Sequence, residues 1–231
     1  MSEYITVDTA AGTFKAYMAV PTKLPAPAIV VVQEIFGVNK DLRATCDELA
    51  SQGYLAVSPD LFWRMEPDLD MNALDEADWK KGFELYTAFN LNTGVDDIAA
   101  TMTKAASLPG CTGKVGLMGY CLGGLMTYLT TARKGTVASV AYYPGSTEKH
   151  LEEAGKIKSP LIIHLGEEDE YISKDAQRAI KEALKDNPKV TVYSYSGQSH
   201  AFARHNGTHY DKPSADLANG RTADFFREHL G

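Results

Sequence analysis

The pattern of apolar and polar positions divides this chain into alternating strands and amphipathic helices. Residues 28–32 (Ala-Ile-Val-Val-Val) form a continuous apolar run, which predicts a strand buried on both faces. Residues 41–52 place apolar side chains at helical spacing and end at Gly53, a residue that commonly terminates helices. Residues 54–58 then predict the next strand. The same alternation continues along the rest of the chain.

The remaining elements follow from the same patterns. Two alternating runs, 5–9 and 13–20, predict a hairpin that turns near Ala11-Gly12. Further strands are predicted at 114–118, 137–142, 161–165 and 190–195, and further helices at 75–89, 94–107, 175–185 and 215–229. We expect the irregular segment 60–72 to form a loop over the functional site. Strands separated by helices predict one α/β domain over residues 1–231, with a mostly parallel sheet of about eight strands and helices on both faces.

Composition and charge narrow the classes of partner. The net charge of −7 argues against nucleic acid or an anionic membrane surface. No apolar run approaches the roughly 20 residues that span a bilayer, and residues 1–4 lack the features of a signal peptide. Three cysteines without C-x-x-C spacing indicate neither a disulfide framework nor a zinc site. We therefore expect a cytoplasmic protein, a monomer or a homodimer, that acts on a small molecule without a metal or cofactor.

The stretch Gly119-Tyr120-Cys121-Leu122-Gly123 carries the strongest chemical signal. It lies between a predicted strand and the apolar start of a helix, as in the nucleophile elbow G-x-S-x-G, with cysteine in place of serine. The helix N-terminus beside Cys121 would favour a thiolate and a nearby oxyanion. The alternative is a small buried cysteine in a glycine-rich turn, and the pentapeptide alone does not separate the two.

Asp169 and His200 are candidate partners for Cys121 because each follows a predicted strand. The chain order Cys121, Asp169, His200 is the nucleophile–acid–histidine order of α/β-hydrolases. Taken singly, such an aspartate more often caps a turn and such a histidine lies on the surface. Three acidic neighbours compete with Asp169: Glu167, Glu168 and Glu170. His164 lies inside a predicted strand and is expected to be packed rather than reactive.

Glu34 directly follows the buried strand, where a carboxylate without a partner would be costly to desolvate. It therefore has either a chemical task or a bracing role with backbone N–H groups. The backbone N–H of Ile35 would lie on the loop that faces the elbow, and the N–H of Leu122 on the elbow itself. These two amides are the expected oxyanion donors.

Several further side chains are candidates for binding substrate. Arg204 lies four residues after His200 and could hold a substrate carboxylate in a two-pronged bond, although a solvated surface arginine is the alternative. Four aromatic residues either line an apolar pocket or belong to the core: Phe36, Trp63, Phe83 and Tyr86.

Together these motifs resemble the dienelactone hydrolase family, also called carboxymethylenebutenolidases, of the α/β-hydrolase superfamily. The matching runs are 33–37 (Gln-Glu-Ile-Phe-Gly), 58–61 (Ser-Pro-Asp-Leu), 116–124 (Gly-Leu-Met-Gly-Tyr-Cys-Leu-Gly-Gly) and 199–204 (Ser-His-Ala-Phe-Ala-Arg). The similarity extends from about residue 4 to residue 230.

The resemblance implies hydrolysis of a cyclic enol lactone, with Cys121 as nucleophile, His200 as general base and acid, and Asp169 as the group that orients His200. It also implies that Glu34 lies near the resting thiol, is displaced by substrate and takes the thiol proton. This chain departs from the family at one substrate-binding arginine, whose position corresponds to Trp79. Lys80 or Lys81 could replace that arginine only imperfectly, since a lysine lacks the planar fork.

Two other functions remain open at this point. A general carboxylesterase for small activated esters would use the same residues with no role in the breakdown of aromatic compounds. A non-catalytic α/β-hydrolase domain would bind a lactone or another hydrophobic ligand without turning it over.

Overall fold

The computed structural model describes residues 2–231, so Met1 lies outside the described residues. The strands are β1 (Ser2–Thr9), β2 (Gly12–Ala19), β3 (Ala26–Val32), β4 (Leu55–Pro59), β5 (Cys111–Tyr120), β6 (Ser139–Tyr142), β7 (Leu161–Gly166) and β8 (Val190–Tyr195). The α-helices are α1 (Lys40–Ser51), α2 (Glu76–Ala88), α3 (Leu91–Ala106), α4 (Leu122–Lys134), α5 (Lys174–Leu184) and α6 (Lys212–Leu230). All of these strands join one sheet, in the order β1-β2-β4-β3-β5-β6-β7-β8.

The sheet is parallel from β4 to β8 and antiparallel at one edge. β1 pairs with β2 as the predicted hairpin, and β2 pairs antiparallel with β4. β3 lies between β4 and β5, and residues 28–32 are fully buried, which confirms the prediction of a central strand covered on both faces. The carboxyl ends of the parallel strands therefore meet at one edge, where the loops with the candidate residues begin.

Helices cover both faces of the sheet, as two glycines of β5 show. A side chain at Gly116 would meet Phe226 and Leu230 of α6. A side chain at Gly119 would meet Gly123 and Thr127 of α4. Because these positions are an odd number of residues apart in a strand, they face opposite sides of the sheet. The predicted α/β architecture is thus confirmed.

Some predicted boundaries move because local capping decides them. α3 begins at Leu91 rather than at residue 94, since the Asn90 side chain accepts hydrogen bonds from the N–H groups of Asn92 and Thr93. Two short 3₁₀ segments, Thr147–Lys149 and Leu151–Lys156, were not predicted. Among the described helices, none is both long enough and apolar enough to cross a bilayer.

Candidate active site

The turn between β5 and α4 holds Cys121 in a strained conformation. Its φ of 53° and ψ of −112° lie outside the usual regions for a residue with a side chain. The Cys121 N–H donates to the Tyr142 carbonyl at 3.1 Å, and the Cys121 carbonyl accepts from the Leu125 N–H at 3.1 Å. The predicted strand, tight turn and helix are therefore present, with the cysteine at the head of the helix.

Three glycines make this turn possible because backbone passes close to each of them. A Cβ at Gly119 would lie 2.3 Å from the Gly123 carbonyl oxygen, and one at Gly123 would lie 2.3 Å from the Val32 carbonyl oxygen. A Cβ at Gly124 would lie 2.5 Å from the Tyr142 carbonyl oxygen. The turn is thereby clamped between the ends of β3 and β6.

Asp169 and His200 meet behind this turn although 31 residues separate them. His200 Nδ1 and Asp169 Oδ2 are 2.8 Å apart, and both side chains are buried. The other Asp169 oxygen accepts from the N–H groups of Tyr171 and Ile172 at 2.8 and 2.9 Å. One oxygen thus fixes the loop and the other faces the imidazole.

The acidic neighbours of Asp169 have other contacts. Glu170 accepts from the backbone N–H of His200 at 3.1 Å, so it braces the histidine loop rather than the ring. Glu168 pairs with Lys174 at the surface. Of the four candidates, Asp169 is the one whose carboxylate touches the imidazole.

The charge state of His200 is set by its partners rather than by burial. Burial lowers its pKa, but the neighbouring Cys121 sulfur and the Asp169 carboxylate outweigh burial and raise the pKa of His200 to about 10. His200 Nε2 is buried and has no hydrogen-bond partner among residues 2–231 within ordinary contact distance. It borders the cavity that Cys121 also lines, so the ring is placed to exchange a proton with sulfur or with a bound molecule.

A small cavity of about 130 Å³ opens in front of Cys121 and His200. Its walls contain nine of the residues singled out from the sequence: Ile35, Phe36, Trp79, Phe83, Tyr86, Cys121, Leu122, His200 and Arg204. Asp169 and Glu34 lie behind this wall, against His200 and Arg204 respectively. The residues singled out from the sequence therefore lie together in the folded chain.

Three lining residues were missed: Gly145, Ser146 and Tyr171. The Tyr171 ring packs edge-on against His200, with centroids 4.9 Å apart. Ser146 has a positive φ of 65°, and its hydroxyl lies 2.9 Å from the Tyr86 hydroxyl across the cavity. Tyr171 could have been found from its place two residues after Asp169, whereas no local pattern marks Ser146.

Ile35 and Leu122 share one wall of the cavity because of the close contact at Gly123. The loop after β3 packs directly on the first turn of α4, since Gly123 has no side chain to separate them. This packing puts the two backbone segments beside Cys121. Their role as oxyanion donors stays a prediction.

Glu34 and Arg204 form a buried, two-pronged ion pair. Arg204 Nε donates to Glu34 Oε2 at 2.7 Å, and Arg204 Nη2 donates to Glu34 Oε1 at 2.9 Å. Burial lowers the pKa of Arg204, but the Glu34 carboxylate outweighs burial and raises it. Arg204 is 9% exposed, which excludes a solvated surface arginine. The carboxylate expected beside the thiol is turned towards Arg204 in this structure.

Aromatic rings cover the guanidinium of this pair. The Arg204 guanidinium carbon lies 5.1 Å from the centre of the Phe36 ring and 5.9 Å from that of Trp79. Trp79 is held by a hydrogen bond from its indole N–H to the Ala73 carbonyl at 2.6 Å and by contact with Phe83. Trp79 is thus a fixed part of the aromatic wall of the cavity.

Three candidates from the sequence, Lys80, Lys81 and Trp63, do not line the cavity. Lys81 pairs with Glu66, Lys80 is exposed, and neither lines the cavity, so neither replaces an arginine there. The Trp63 indole N–H donates to Asp97, so Trp63 belongs to the packing of α3.

The segment 60–72 does not cover the cavity, and none of its residues lines it. Instead, the Met71 N–H donates to the Phe36 carbonyl at 3.1 Å, and Gly37 forms a β-bridge with Asp70. The segment therefore supports the loop after β3 from the side.

The other histidine and cysteine candidates are placed as packed or peripheral groups. His164 is fully buried, as expected, with Nδ1 2.7 Å from the Tyr195 hydroxyl. All three cysteines are free, and burial raises the pKa of the Cys46 thiol well above its usual range. In the described part of the chain, no three His, Cys, Asp or Glu side chains are grouped so that they could hold a metal ion.

A family model described as the dienelactone hydrolase family matches residues 14–230, nearly the whole chain. The chain belongs to the dienelactone hydrolase family. It is 40% identical over 228 residues to a provisionally named carboxymethylenebutenolidase of Azospirillum brasilense, with 95% of each chain covered. It is 38% identical over 226 residues to the carboxymethylenebutenolidase of Pseudomonas putida, covering 97% of this chain and 96% of that one.

A solved structure points the same way. A protein of Klebsiella pneumoniae, provisionally named a dienelactone hydrolase, superposes with a TM-score of 0.85 at 25% identity, with 98% of both chains covered. The protein is therefore a carboxylic ester hydrolase of the dienelactone hydrolase type, with the α/β-hydrolase fold that the sequence predicted.

Proposed function

We propose that this dienelactone hydrolase cleaves an enol lactone or an activated carboxylic ester through a covalent intermediate on Cys121. The observation that carries the proposal is the arrangement of His200, which touches Asp169 on one side and borders the Cys121 cavity on the other. A nucleophile, a base and a group that orients the base are the parts that such chemistry needs.

The first half of the reaction forms the acyl enzyme. The Cys121 thiolate attacks the carbonyl carbon, and the backbone N–H groups of Ile35 and Leu122 hold the developing oxyanion. The ring oxygen then leaves as an enolate, which is a better leaving group than an alkoxide and needs less help from an acid. The product is a thioester that still carries the opened chain.

The second half releases the product. His200 removes a proton from water, and the resulting hydroxide attacks the thioester carbonyl. The Cys121 sulfur leaves as a thiolate, His200 gives its proton to the enolate of the opened chain, and Glu34 returns its proton to the sulfur, so the enzyme recovers its starting charge. Asp169 keeps Nε2 of His200 directed at the cavity through its contact with Nδ1.

Glu34 acts in the formation of the thiolate. On this proposal its carboxylate alternates between Arg204, where it lies here, and Cys121, whose proton it takes when substrate binds. The arrangement of Glu34 on Arg204 then represents the state before this proton transfer.

A general esterase for small activated esters is the second candidate. The mostly apolar and aromatic lining of the cavity favours it, because such a wall accepts many small acyl or aryl groups. Comparing turnover of an enol lactone with that of 4-nitrophenyl acetate would rank the two. The names of the curated relatives, which are carboxymethylenebutenolidases, favour the lactone. The three free thiols fit the cytoplasm.

Substitution of Cys121 tests the proposal. Cys121→Ala should lower the hydrolysis of enol lactone and aryl ester by about 10³-fold or more, because no other nucleophile lines the site in the same position. Cys46→Ala is the matched control, since that thiol lies on the buried face of α1 and does not line the cavity. Mass spectrometry of the wild type after rapid quenching should show the acyl group on Cys121.

Activity of Cys121→Ala within twofold of wild type would contradict the assignment. Recovery of intact lactone and intact ester after incubation with the wild type would instead indicate a binding domain without catalysis.

A further inference from the structure

We propose that the Tyr86 hydroxyl, held in place by Ser146, donates a hydrogen bond to the oxygen that leaves the acyl group. This bond lets the site cleave lactones and esters of weakly acidic enols and phenols as well as strongly activated esters. Tyr86 is then a catalytic residue, because it touches a reacting atom, and Ser146 is a positioning residue. The inference rests on the hydrolytic function proposed above and specifies how its leaving group departs.

A cysteine nucleophile makes the departure of the ester oxygen the difficult step. After the attack, the tetrahedral carbon carries both the Cys121 sulfur and the ester oxygen, and either can be expelled. The less basic of the two leaves more readily, and an ordinary thiol has a pKa of about 8.5, whereas a phenol has a pKa of about 10. Without help, the intermediate therefore returns to the reactants more often than it releases a phenolate. A hydrogen bond to the oxygen favours its release, since negative charge develops there as the C–O bond breaks.

Two hydroxyl groups from different parts of the fold meet at the wall of the Cys121 cavity. The hydroxyls of Tyr86, on α2, and Ser146, in the loop after β6, are 2.9 Å apart, and both residues line the cavity. Ser146 directly precedes the 3₁₀ segment Thr147–Lys149, where a serine commonly caps the helix, but its side chain makes no capping hydrogen bond. Its φ of 65° is also unfavourable for a residue with a side chain. The Ser146 hydroxyl therefore serves Tyr86 rather than the local turn.

This hydroxyl pair lies across Cys121 from the loop that holds the expected oxyanion donor Ile35. In the sheet, β3 and β6 flank β5 on opposite sides. The loops that follow them therefore bring Ile35 and Ser146 to the cavity from opposite directions. The two oxygens of the tetrahedral intermediate are bonded to one carbon and point apart. One oxygen can thus face the Ile35 amide while the other faces the Tyr86 hydroxyl.

The other neutral side-chain donors of the cavity wall are less suited to this task. The Trp79 indole N–H already donates to a backbone carbonyl at 2.6 Å. Tyr171 is 47% exposed, so water competes for any hydrogen bond that its hydroxyl offers. Tyr86 is half-buried, and its contact with Ser146 fixes the position of its hydroxyl. Tyr86 is therefore the best-placed donor for a leaving oxygen.

The Tyr86 hydroxyl keeps its own proton during this step. Burial raises the pKa of Tyr86, and the opposing effect of the Ser146 hydrogen bond does not cancel this increase. Ser146 then donates to the Tyr86 oxygen and Tyr86 donates to the leaving oxygen, so the two hydrogen bonds reinforce each other. The C–O bond breaks with its electron pair on the oxygen, which takes its proton later from His200.

Two acetate esters that differ in their leaving group test the inference. 4-Nitrophenyl acetate releases a strongly stabilised phenolate, phenyl acetate releases a much more basic one, and kcat/KM reports the acylation step for both. Tyr86→Phe should lower kcat/KM by about 30-fold for phenyl acetate but by about threefold or less for 4-nitrophenyl acetate, the range expected for a hydrogen bond to developing charge. Ser146→Ala should change the ratio of the two values in the same direction by about threefold, because it frees the Tyr86 hydroxyl without removing it.

Tyr17→Phe is the matched control for the loss of a hydrogen-bonded tyrosine hydroxyl. The Tyr17 hydroxyl donates to Asp47 of α1 at 2.8 Å, and Tyr17 does not line the cavity. This variant should keep the wild-type ratio of kcat/KM between the two esters. A changed ratio in Tyr171→Phe together with an unchanged one in Tyr86→Phe would assign the donor to Tyr171 and overturn the inference.

The outcomes separate this inference from the function on which it rests. If the wild type cleaves neither ester and opens no enol lactone, the proposed function fails. If the wild type cleaves both esters and Tyr86→Phe lowers the two kcat/KM values by the same factor, the function stands and the inference is overturned.

The wild type also provides a check that needs no variant to fold. Its ratio of kcat/KM for phenyl acetate to kcat/KM for 4-nitrophenyl acetate should exceed by about tenfold the corresponding ratio of rate constants for a small thiolate in water. Equal ratios for the enzyme and the free thiolate would mean that no group of the site helps the oxygen to leave, and would overturn the inference.

Discussion

Two buried histidines, His164 in β7 and His200 after β8, differ in the partners of their rings, and the proposed function makes only His200 reactive. Both are at most 2% exposed, and each lies against tyrosine rings. His164 Nδ1 lies 2.7 Å from the Tyr195 hydroxyl, and its Nε2 lies 3.1 Å from the Thr222 hydroxyl. Its partners are therefore neutral.

The two histidines have opposite charge preferences as a result. Burial, with a smaller contribution from Arg221, lowers the pKa of His164 to about 3, so the ring is neutral at physiological pH. At His200 burial acts in the same direction, but the neighbouring Cys121 sulfur and the Asp169 carboxylate reverse its effect on the pKa. Burial alone makes an imidazole inert. An anionic partner on each side of the ring makes it a group that can hold and transfer a proton.

The largest expected effect is the loss of the reactive histidine. His200→Gln should lower kcat/KM for enol lactone and aryl ester by about 10³-fold, because it removes the base that activates water. The circular dichroism spectrum should be unchanged, because the substitution leaves the fold and the other cavity residues in place. His164→Gln, the matched substitution in the packed region, should keep activity within about threefold of wild type. Equal losses of kcat/KM in the two variants would contradict a functional difference between the two histidines.

The next largest effect is expected at Asp169, the carboxylate partner that His200 has and His164 lacks. Asp169→Asn should lower kcat/KM by about 10²-fold or more and should lower the pKa of His200, since it removes one of the two anions. Titration of the His200 ring protons by NMR measures the shift directly. An unchanged His200 pKa in this variant would mean that Asp169 has only a structural role.

A smaller effect is expected on stability, in the packed region. His164→Gln should lower the free energy of unfolding by about 2 kcal/mol, because it leaves buried hydroxyls of Tyr195 and Thr222 with poorer partners. Urea unfolding measures this change. His229→Gln, near the end of α6, is the control and should change stability by less than about 0.5 kcal/mol. If His164→Gln lowers the free energy of unfolding by less than about 0.5 kcal/mol, the hydrogen bonds of His164 do not stabilise the fold.

The smallest effect is the pH dependence of that stability. The folded-state pKa of His164 is depressed to about 3, whereas the unfolded chain takes up this proton near pH 6.5. The unfolded state therefore binds more protons between these values, and stability falls as the pH falls through this window. Between pH 6 and pH 5 the wild type should lose up to about 1.4 kcal/mol more than His164→Gln does. If the urea midpoints of the two proteins change by the same amount between pH 6 and pH 5, the pKa of His164 is not lowered in the folded state.

The sequence predicted the elements and the elbow because these depend on local chemistry. The short β-branched apolar run of β3 is typical of a buried strand, and the pentapeptide around Cys121 belongs to one strand–turn–helix unit, in which a Cβ at Gly119 would meet Gly123. The order of Cys121, Asp169 and His200 placed them at one edge of the sheet because the carboxyl ends of parallel strands meet there.

The rest depends on contacts that no local pattern encodes. Glu34 and Arg204 are 170 residues apart, and they meet beside the Phe36 and Trp79 rings only in the folded chain. Lys81 is a candidate for the cavity because it closely follows Trp79 in the sequence, but Glu66 binds it outside the cavity. Tertiary contacts of single side chains, rather than errors in the elements, account for these misses.

The unequal environments of the three free thiols have a practical consequence. Cys46 is sealed in the core and its raised pKa keeps it protonated, whereas Cys111 and Cys121 are partly exposed. A Cys111→Ser protein would thus offer alkylating reagents a single reactive sulfur, and the amount of label bound would count competent enzyme molecules. The same sulfur would anchor a fluorophore whose emission reports when a ligand enters.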